Sequence, residues 1–317
     1  MSTSPNALDV LDSQLSSSDN QQYAEQLAKV NSQRSSYWKF EIVPDKFKQS
    51  LKETDESKFN YLNENFGVIG SWDDLINDLD RLNKSSASNE TYKILFLARH
   101  GQGYHNLAHS QYGDKAWNEY WSKLDGDGTI VWGPDPNLTS LGVSQAKDNK
   151  YVWQKQIELA TRTITPSRFF VSPLSRSIDT LIHTWSGILP IGEMKPLIME
   201  NIRETMGVHT CDKRSTRTII SDKYSSQGFE IEPGFEEEDI YWQVDYRESV
   251  AEHGLRINQA LQNIFDKTTN DSIIGITSHS GSIRAQLLVL GHRSFAVGTG
   301  GMIPVFVKGT KIQNQKL

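Results

Sequence analysis

An apolar run, Ile94-Leu95-Phe96-Leu97-Ala98, stops on Arg99 and His100 and passes at once into Gly101-Gln102-Gly103. The run is short for a helix and is bounded by glycines, so it reads as a buried strand. A core does not accept an arginine and a histidine unpaired, so these two mark the strand's end. Gly101 and Gly103 allow a tight turn and a close approach of backbone to a ligand. In an open α/β sheet, ligands collect beyond the carboxyl ends of the strands. Arg99 and His100 stand at such an edge. Taken alone, the tripeptide is no more than a strand ending in polar residues; the rest of the chain decides.

Read in order, the first 36 residues are rich in Ser, Gln and Asn. A weak helical pattern around Gln21 to Val30 offers little apolar surface, and a disordered tail is expected over 1–36. Tyr37 to Val43 alternates as a half-buried strand ahead of Pro44. Phe59, Phe66, Trp72, Leu75, Leu79 and Leu82 then anchor a loop and a helix from Trp72, so the extension 37–90 is expected to pack on the rest of the domain. From Asn106 to Asn137 the chain looks irregular; Trp117, Tyr120, Trp121 and Trp132 read as extra core or as one wall of a cleft. Thr139 or Ser140 caps a helix that continues past Leu159. Arg168 to Val171 is a second expected strand, with a helix from Ser175 to about Ser186. Met194 to Met199 is a third, and Ile273 to Thr277 a fourth, leading through Ser278-His279-Ser280-Gly281 into a helix ending at Leu290. Met302 to Val307 is the last, with a tail over 311–317. This alternation predicts an α/β fold, a three-layer α/β/α sandwich with a mostly parallel central sheet. One domain is expected over 37–310, with cleft-forming insertions near 107–137 and 205–247.

Three strand ends bear matching chemistry. Arg99 and His100 follow the first strand, Arg176 the second and His279 the fourth. Two guanidinium forks and two imidazoles at one sheet edge suit a tetrahedral oxyanion, because arginine pairs bidentately with phosphate oxygens. Helices opening after Ser175 and Ser280 add free backbone N–H groups. A histidine neutral at one ring nitrogen and held by an acceptor at the other can attack phosphorus. The departing alkoxide then needs an acid, and Glu204 follows the third strand.

Taken together, these motifs resemble the histidine phosphatase superfamily, which includes phosphoglycerate mutase and many phosphatases. Arg99-His100-Gly101 with Asn106 is similar to its opening motif, and Leu138-Thr139 with Gly142, Gln145 and Ala146 to its second. Ser172-Pro173-Leu174 with Arg176 and Thr180 is similar to the third, with Asp179 where glutamine is commoner. Arg203-Glu204, and His279 with Gly281, complete the set, which spans most of residues 93–310. Gln102-Gly103-Tyr104-His105-Asn106 resembles more narrowly the fungal phosphomutase-like proteins. So does Glu204 followed by Gly207, His209, Cys211, Asp212 and Arg214, a pattern similar to plant relatives as well. The resemblance implies that His100 is the phosphate-accepting nucleophile, that Arg99, Arg176 and His279 form the phosphate pocket, and that Glu204 is the proton donor. It implies a secondary polar contact to phosphate from Asn106. The implied activity is hydrolysis of a phosphomonoester through a phosphohistidine, with no cofactor and no metal. All catalytic residue types are present, which disfavours the non-catalytic branch. The tyrosine-and-glycine pattern that comes after the acid in the mutases is not seen. A phosphomutase and a non-catalytic phosphate-binding module remain the alternatives.

Charge and cysteine content remove other classes. A net charge of 33 − 39 = −6 does not suit a nucleic-acid or membrane-surface binder. No apolar run approaches bilayer length and no secretory signal is visible, so a cytoplasmic, possibly also nuclear, protein acting on a small phosphorylated metabolite is expected. Its oligomeric state is open. The single cysteine, Cys211, excludes an intrachain disulfide and a cysteine-based metal cluster. His105 and His109 have the i, i+4 spacing of a metal pair but no evident third ligand. The acidic run Glu230 to Asp239 reads as a solvated loop, or as a lid that repels very anionic substrates. Arg203, Lys213, Arg214 and Arg217 read either as a site for a second phosphate or as paired surface charges.

Overall fold

The computed structural model describes residues 3–314. Its seven strands are β1 (Ser36–Ile42), β2 (Glu90–Arg99), β3 (Arg168–Val171), β4 (Leu197–Ile198), β5 (Glu230–Ile231), β6 (Ile273–Ser278) and β7 (Met302–Gln313). They form one sheet in the order β1-β7-β2-β6-β3-β4-β5. From β2 to β5 every neighbouring pair is parallel, and β7 is antiparallel to both β2 and β1. One strand of the seven therefore opposes the rest, in keeping with the mostly parallel sheet expected.

The helices are α1 (Ala7–Ser13), α2 (Ser17–Gln33), α3 (Trp72–Ser85), α4 (Tyr104–Tyr112), α5 (Asp114–Glu119), α6 (Ser140–Leu159), α7 (Ser175–Trp185), α8 (Ile191–Met194), α9 (Arg217–Tyr224), α10 (Val250–Lys267) and α11 (Ser280–Leu290). They cover both faces of the sheet. On one, Trp72 of α3 and Trp153 of α6 meet Phe96, and Trp185 of α7 meets Phe169. On the other, Phe265 of α10 meets Trp38 and Phe40 of β1, and α10 packs on α2 and α11. Ile94, Leu95, Leu97, Ile274 and Ile276 are buried at the centre, which is why β2 and β6 read as continuous apolar runs. The extension 37–90 joins this core through Phe66 and Trp72. No helix among the described residues is long and apolar enough to cross a membrane.

Several sequence expectations change. The tail expected over 1–36 is two helices, α1 and α2. Each opens on a capping box, Asn6 with Asp9 and Ser16 with Asp19, a local signal that needs no apolar surface. Tyr23 of α2 is buried against Gly254 of α10, where a Cβ would meet its ring at 2.8 Å. Arg34 ties the end of α2 to Asn258 and Gln259. The expected C-terminal tail is strand as far as Gln313, and 315–317 lie outside the described residues. The strand expected from Met194 shrinks to Leu197–Ile198, because α8 ends at Met194 and Lys195 turns left-handed (φ 44). The stretch after Asn106 contains α4 and α5. Its tryptophans Trp117 and Trp132 close on Ala108 and Cys211 as a second small core.

Candidate active site

β2, β6 and β3 are neighbours, and their carboxyl ends bring the chemistry together. Arg99 pairs in register with Ser278, so His100 and His279 leave adjacent strands at one level, with ring centroids 5.0 Å apart. Arg176, in the first turn of α7 after β3, directs its Nε at His100 Nε2 from 3.4 Å. The turn after His100 is held by a mutual close approach of backbones. A Cβ on Gly101 would meet the Gly142 carbonyl oxygen at 2.3 Å, and one on Gly142 would meet that of Gln102 at 2.2 Å. Thr139 accepts from the Gly142 N–H (3.1 Å) and donates to Gln102 Oε1 (2.8 Å). Gln145 accepts from the Gln102 N–H (2.8 Å) and Thr180 from the Gly101 N–H (2.9 Å). The second and third sequence motifs thus brace the first.

The hydrogen bonds determine the state of His100. Its Nδ1 lies 2.7 Å from the Gly101 carbonyl, which only accepts, so Nδ1 bears the hydrogen and Nε2 keeps a lone pair. Burial, with the Arg176 and Arg99 guanidiniums beside it, lowers the His100 pKa well below that of a free imidazole. The ring is therefore neutral near pH 7, and its Nε2 lone pair accepts a long bond from Arg176 Nε–H (3.4 Å). His279 is lowered too, by burial and then Arg176; its Nε2 is 2.7 Å from Ser172 Oγ and 3.3 Å from Ser177 Oγ.

Each arginine is held at the fork by a carbonyl and a carboxylate. Arg176 donates to the Cys211 carbonyl (2.7 Å) and to Asp212 Oδ1 (3.0 Å). Arg99 Nη1 donates to the Val297 carbonyl (2.7 Å) and to Asp9 Oδ1 (2.6 Å). Burial alone would push the Asp212 carboxyl up, but Arg247 and Arg176 outweigh it and hold it below the usual carboxylate range. Arg99 Nε and His279 Nδ1 are enclosed without a protein partner. Buried polar groups left over in this way are what a tetrahedral oxyanion between the two arginines would satisfy.

Glu204 is tied to the segment that follows His279. Its Oε2 accepts from the Gly281 N–H in the first turn of α11 (3.1 Å), and its Oε1 from the Thr205 N–H (2.7 Å). A Cβ on Gly281 would meet Glu204 Oε1 at 2.1 Å, which accounts for the glycine two residues after His279. Arg256, paired with Glu248, holds the Glu204 carbonyl (3.0 Å) and fixes this loop. Asn106, for which the family resemblance implies a contact to phosphate, uses its Oδ1 to accept from the Gly103 N–H (2.9 Å) in the capping box that opens α4.

The structure adds residues that sequence reasoning did not place. Asp9 is legible in sequence as half of a capping box, with nothing that points to Arg99. Asp212 and Cys211 stood in a quoted pattern without a role, and they prove to support Arg176. His105, weighed as a metal ligand with His109, instead faces His100 at 5.3 Å between centroids, while His109 stacks on Trp117 and approaches Asp114. Arg203 and Arg214 are buried. Arg203 pairs with Glu200 and Asp239, and Arg214 with Glu200 and the carbonyls of Glu236 and Glu238. The acidic run is therefore not a solvated loop throughout: Glu230–Ile231 is an edge strand and Asp239 an internal counterion. His209, Cys211 and Asp212 bring three ligand atoms within 4.8 Å of one another. Asp212 is already shared by two arginines, and burial pushes the Cys211 thiol up, so this set is a poor cation site.

The profile of the histidine phosphatase superfamily (branch 1) matches residues 95–296. A probable phosphoglycerate mutase of Arthroderma benhamiae is 40% identical over 289 residues, covering 85% of this chain and 84% of its own. Phosphomutase-like protein 3 of Candida albicans is 40% identical over 245 residues, covering 77% and 72%. A probable phosphoglycerate mutase of Saccharomyces cerevisiae is 34% identical over 292 residues, covering 85% and 93%.

Proposed function

The chain belongs to the histidine phosphatase superfamily, and from that membership we propose that it is a phosphatase of small phosphomonoesters. The observation behind this reading is the His100 tautomer: Nδ1–H on the Gly101 carbonyl and a lone pair on Nε2, 3.4 Å from Arg176 Nε, with Arg99 Nε enclosed and unpartnered in the same site. In the first step Nε2 bonds to phosphorus as the ester P–O bond breaks, and the Glu204 carboxyl gives its proton to the leaving oxygen. In the second, water attacks the phosphohistidine, Glu204 takes back a proton, and the N–P bond breaks to release phosphate. Arg99, Arg176 and His279 hold the phosphoryl oxygens throughout.

A second reading, phosphomutase, draws on the names of the relatives. It requires room for a second phosphate, and two cations near the acid, Arg203 and Arg214, are engaged inside the protein. That favours hydrolysis. The test is His100→Ala, which should abolish turnover of phosphomonoesters while the protein stays folded. Rapid quenching of the normal protein should trap acid-labile, base-stable phosphate on His100. Full activity in the alanine variant overturns the mechanism, and turnover only with a phosphorylated priming cofactor moves the assignment to the mutases.

A further inference from the structure

The site is closed in this structure: His100 is 2% exposed, Arg99 4%, and Arg176 and His279 0%. Part of the cover is α1. Its Asp9 carboxylate sits on Arg99 Nη1 at 2.6 Å, an ion pair whose side chains are 12% and 5% exposed respectively. The segment continues along the rim of the site. The Thr3 carbonyl lies where a Cβ on Gly298 would meet it at 2.4 Å, next to the Val297 carbonyl that also holds Arg99. Arg284 of α11 donates to the Asp12 carbonyl (2.8 Å).

This cover is lightly built. α1 has seven residues, and Ser13 is the buried one within it, while Leu11 is 67% exposed. A helix that short is marginal without tertiary support, and Leu8 and Val10 are no more than half-buried beside its polar ties. Asp9 holds Nη1 of Arg99 while Nε stays without a protein partner, so the guanidinium is shared between the helix and whatever binds in the pocket. A phosphoryl dianion on Arg99 would face Asp9 across one guanidinium, in surroundings where like charges repel strongly.

We propose that α1 is an intramolecular competitor for the phosphate pocket: Asp9 fills the Arg99 side of the site as a carboxylate, and the incoming phosphoryl group displaces it. Asp9 then weakens every anion that binds at Arg99 by the cost of its own displacement. The idea rests on the phosphatase reading only in taking Arg99 as a phosphate ligand. The competing role for Asp9 is that of Asp212 toward Arg176, a fixed carboxylate that orients the fork.

Orthovanadate binding by calorimetry separates these roles without any need for turnover, using the full chain and its Asp9→Asn variant. Asn at this position still accepts from the Asn6 N–H, so the helix cap survives. The variant should bind vanadate about tenfold more tightly, the factor that 1.4 kcal/mol of removed competition gives. Amide exchange over residues 9–13 of the normal protein should quicken when vanadate saturates the site. Unchanged or weaker binding in Asp9→Asn overturns the proposal, as does exchange that slows or stays constant. A protein that hydrolyses no phosphomonoester yet shows both vanadate effects loses the phosphatase reading and keeps this one. No vanadate binding by either form overturns both.

Discussion

Arg176 and Arg99 both place a guanidinium beside His100, and each has a carbonyl and a carboxylate on its fork, but the two supports differ in kind. Asp212, which holds Arg176, is buried and shared with Arg247, itself tied to the Thr205 and Gly207 carbonyls. The Cys211 carbonyl beside it belongs to the small aromatic core of Trp117 and Trp132. Asp9, which holds Arg99, comes from a seven-residue helix with an exposed leucine. Asp212 is anchored from two sides, by Arg176 and Arg247, whereas Asp9 pairs with Arg99 alone among the described residues and can leave when another anion takes its place on that buried guanidinium. The Arg176 side is preorganised, and the Arg99 side is adjustable.

The preorganised side also has Glu204, since the loop from Arg203 to Asp212 holds both carboxylates, and the largest expected effect tests it. Glu204→Gln keeps size but cannot donate the proton, and positioned acid catalysis contributes roughly 10²–10⁴-fold. The variant should lose about that factor on alkyl phosphates and much less on a nitrophenyl phosphate, whose leaving group needs no proton. Gly281→Ala should show the same split, because its Cβ would meet Glu204 Oε1 at 2.1 Å. Equal losses on both substrates would make Glu204 a structural residue and move the acid role to His279.

The next comparison concerns stability and binding. Asp212→Asn removes one partner of a buried ion pair, which costs roughly 3–5 kcal/mol, so thermal unfolding should shift steeply downward. Asp9→Asn removes, from a seven-residue helix, a pair with one arginine and should shift the melting point less. Arg176→Ala should weaken vanadate by roughly 2–5 kcal/mol, and Arg176→Lys should recover only part, lacking the bidentate fork. Equal melting shifts in Asp212→Asn and Asp9→Asn would erase the distinction between the two sides.

That distinction was only half legible in the sequence. The strand ends were readable, because Ile94 to Ala98 and Ile273 to Thr277 are apolar runs that stop on charged or titratable groups. The rigid pocket followed from the order of the motifs, and the glycines at 101, 142 and 281 gain their reasons once the close approaches are seen. Asp212 was visible as part of a pattern, but pairing across 36 residues to Arg176 has no local signature. Asp9 lies 90 residues from Arg99 in a segment whose apolar content predicts a loose tail. Capping boxes, the Asp9–Arg99 pair, the Arg34 bonds and the buried ring of Tyr23 order it instead, and none of these registers in hydrophobic periodicity. The acidic run misled for a related reason: Asp239 looks solvated until Arg203 is found buried against it.

The smallest effect expected is a difference in titration. His100 is kept neutral first by burial, then by Arg176, and less by Arg99. A cation beside an imidazole disfavours a second positive charge, so removing it raises the imidazole pKa. Arg176→Gln should therefore raise the His100 pKa further than Arg99→Gln does, and neither should restore the free value of about 6.5, because burial remains. Ring shifts of labelled histidine across pH read this directly. The acid limb of kcat/KM, which reports the base in free enzyme, should stay flat through about pH 6.5 in the normal protein and climb toward it in Arg176→Gln. Geometry supports this order, since Arg176 Nε lies 3.4 Å from His100 Nε2, and the Asp9 carboxylate at 2.6 Å from Arg99 is expected to offset part of the Arg99 charge. Asp212 is shared with a second arginine and offsets Arg176 less. If the pocket's two sides were equivalent, the two glutamine variants would titrate alike, and Asp9→Asn would leave the His100 pKa where it was. With Asp9 as a partial screen, Asp9→Asn unmasks Arg99 and pushes that pKa lower still.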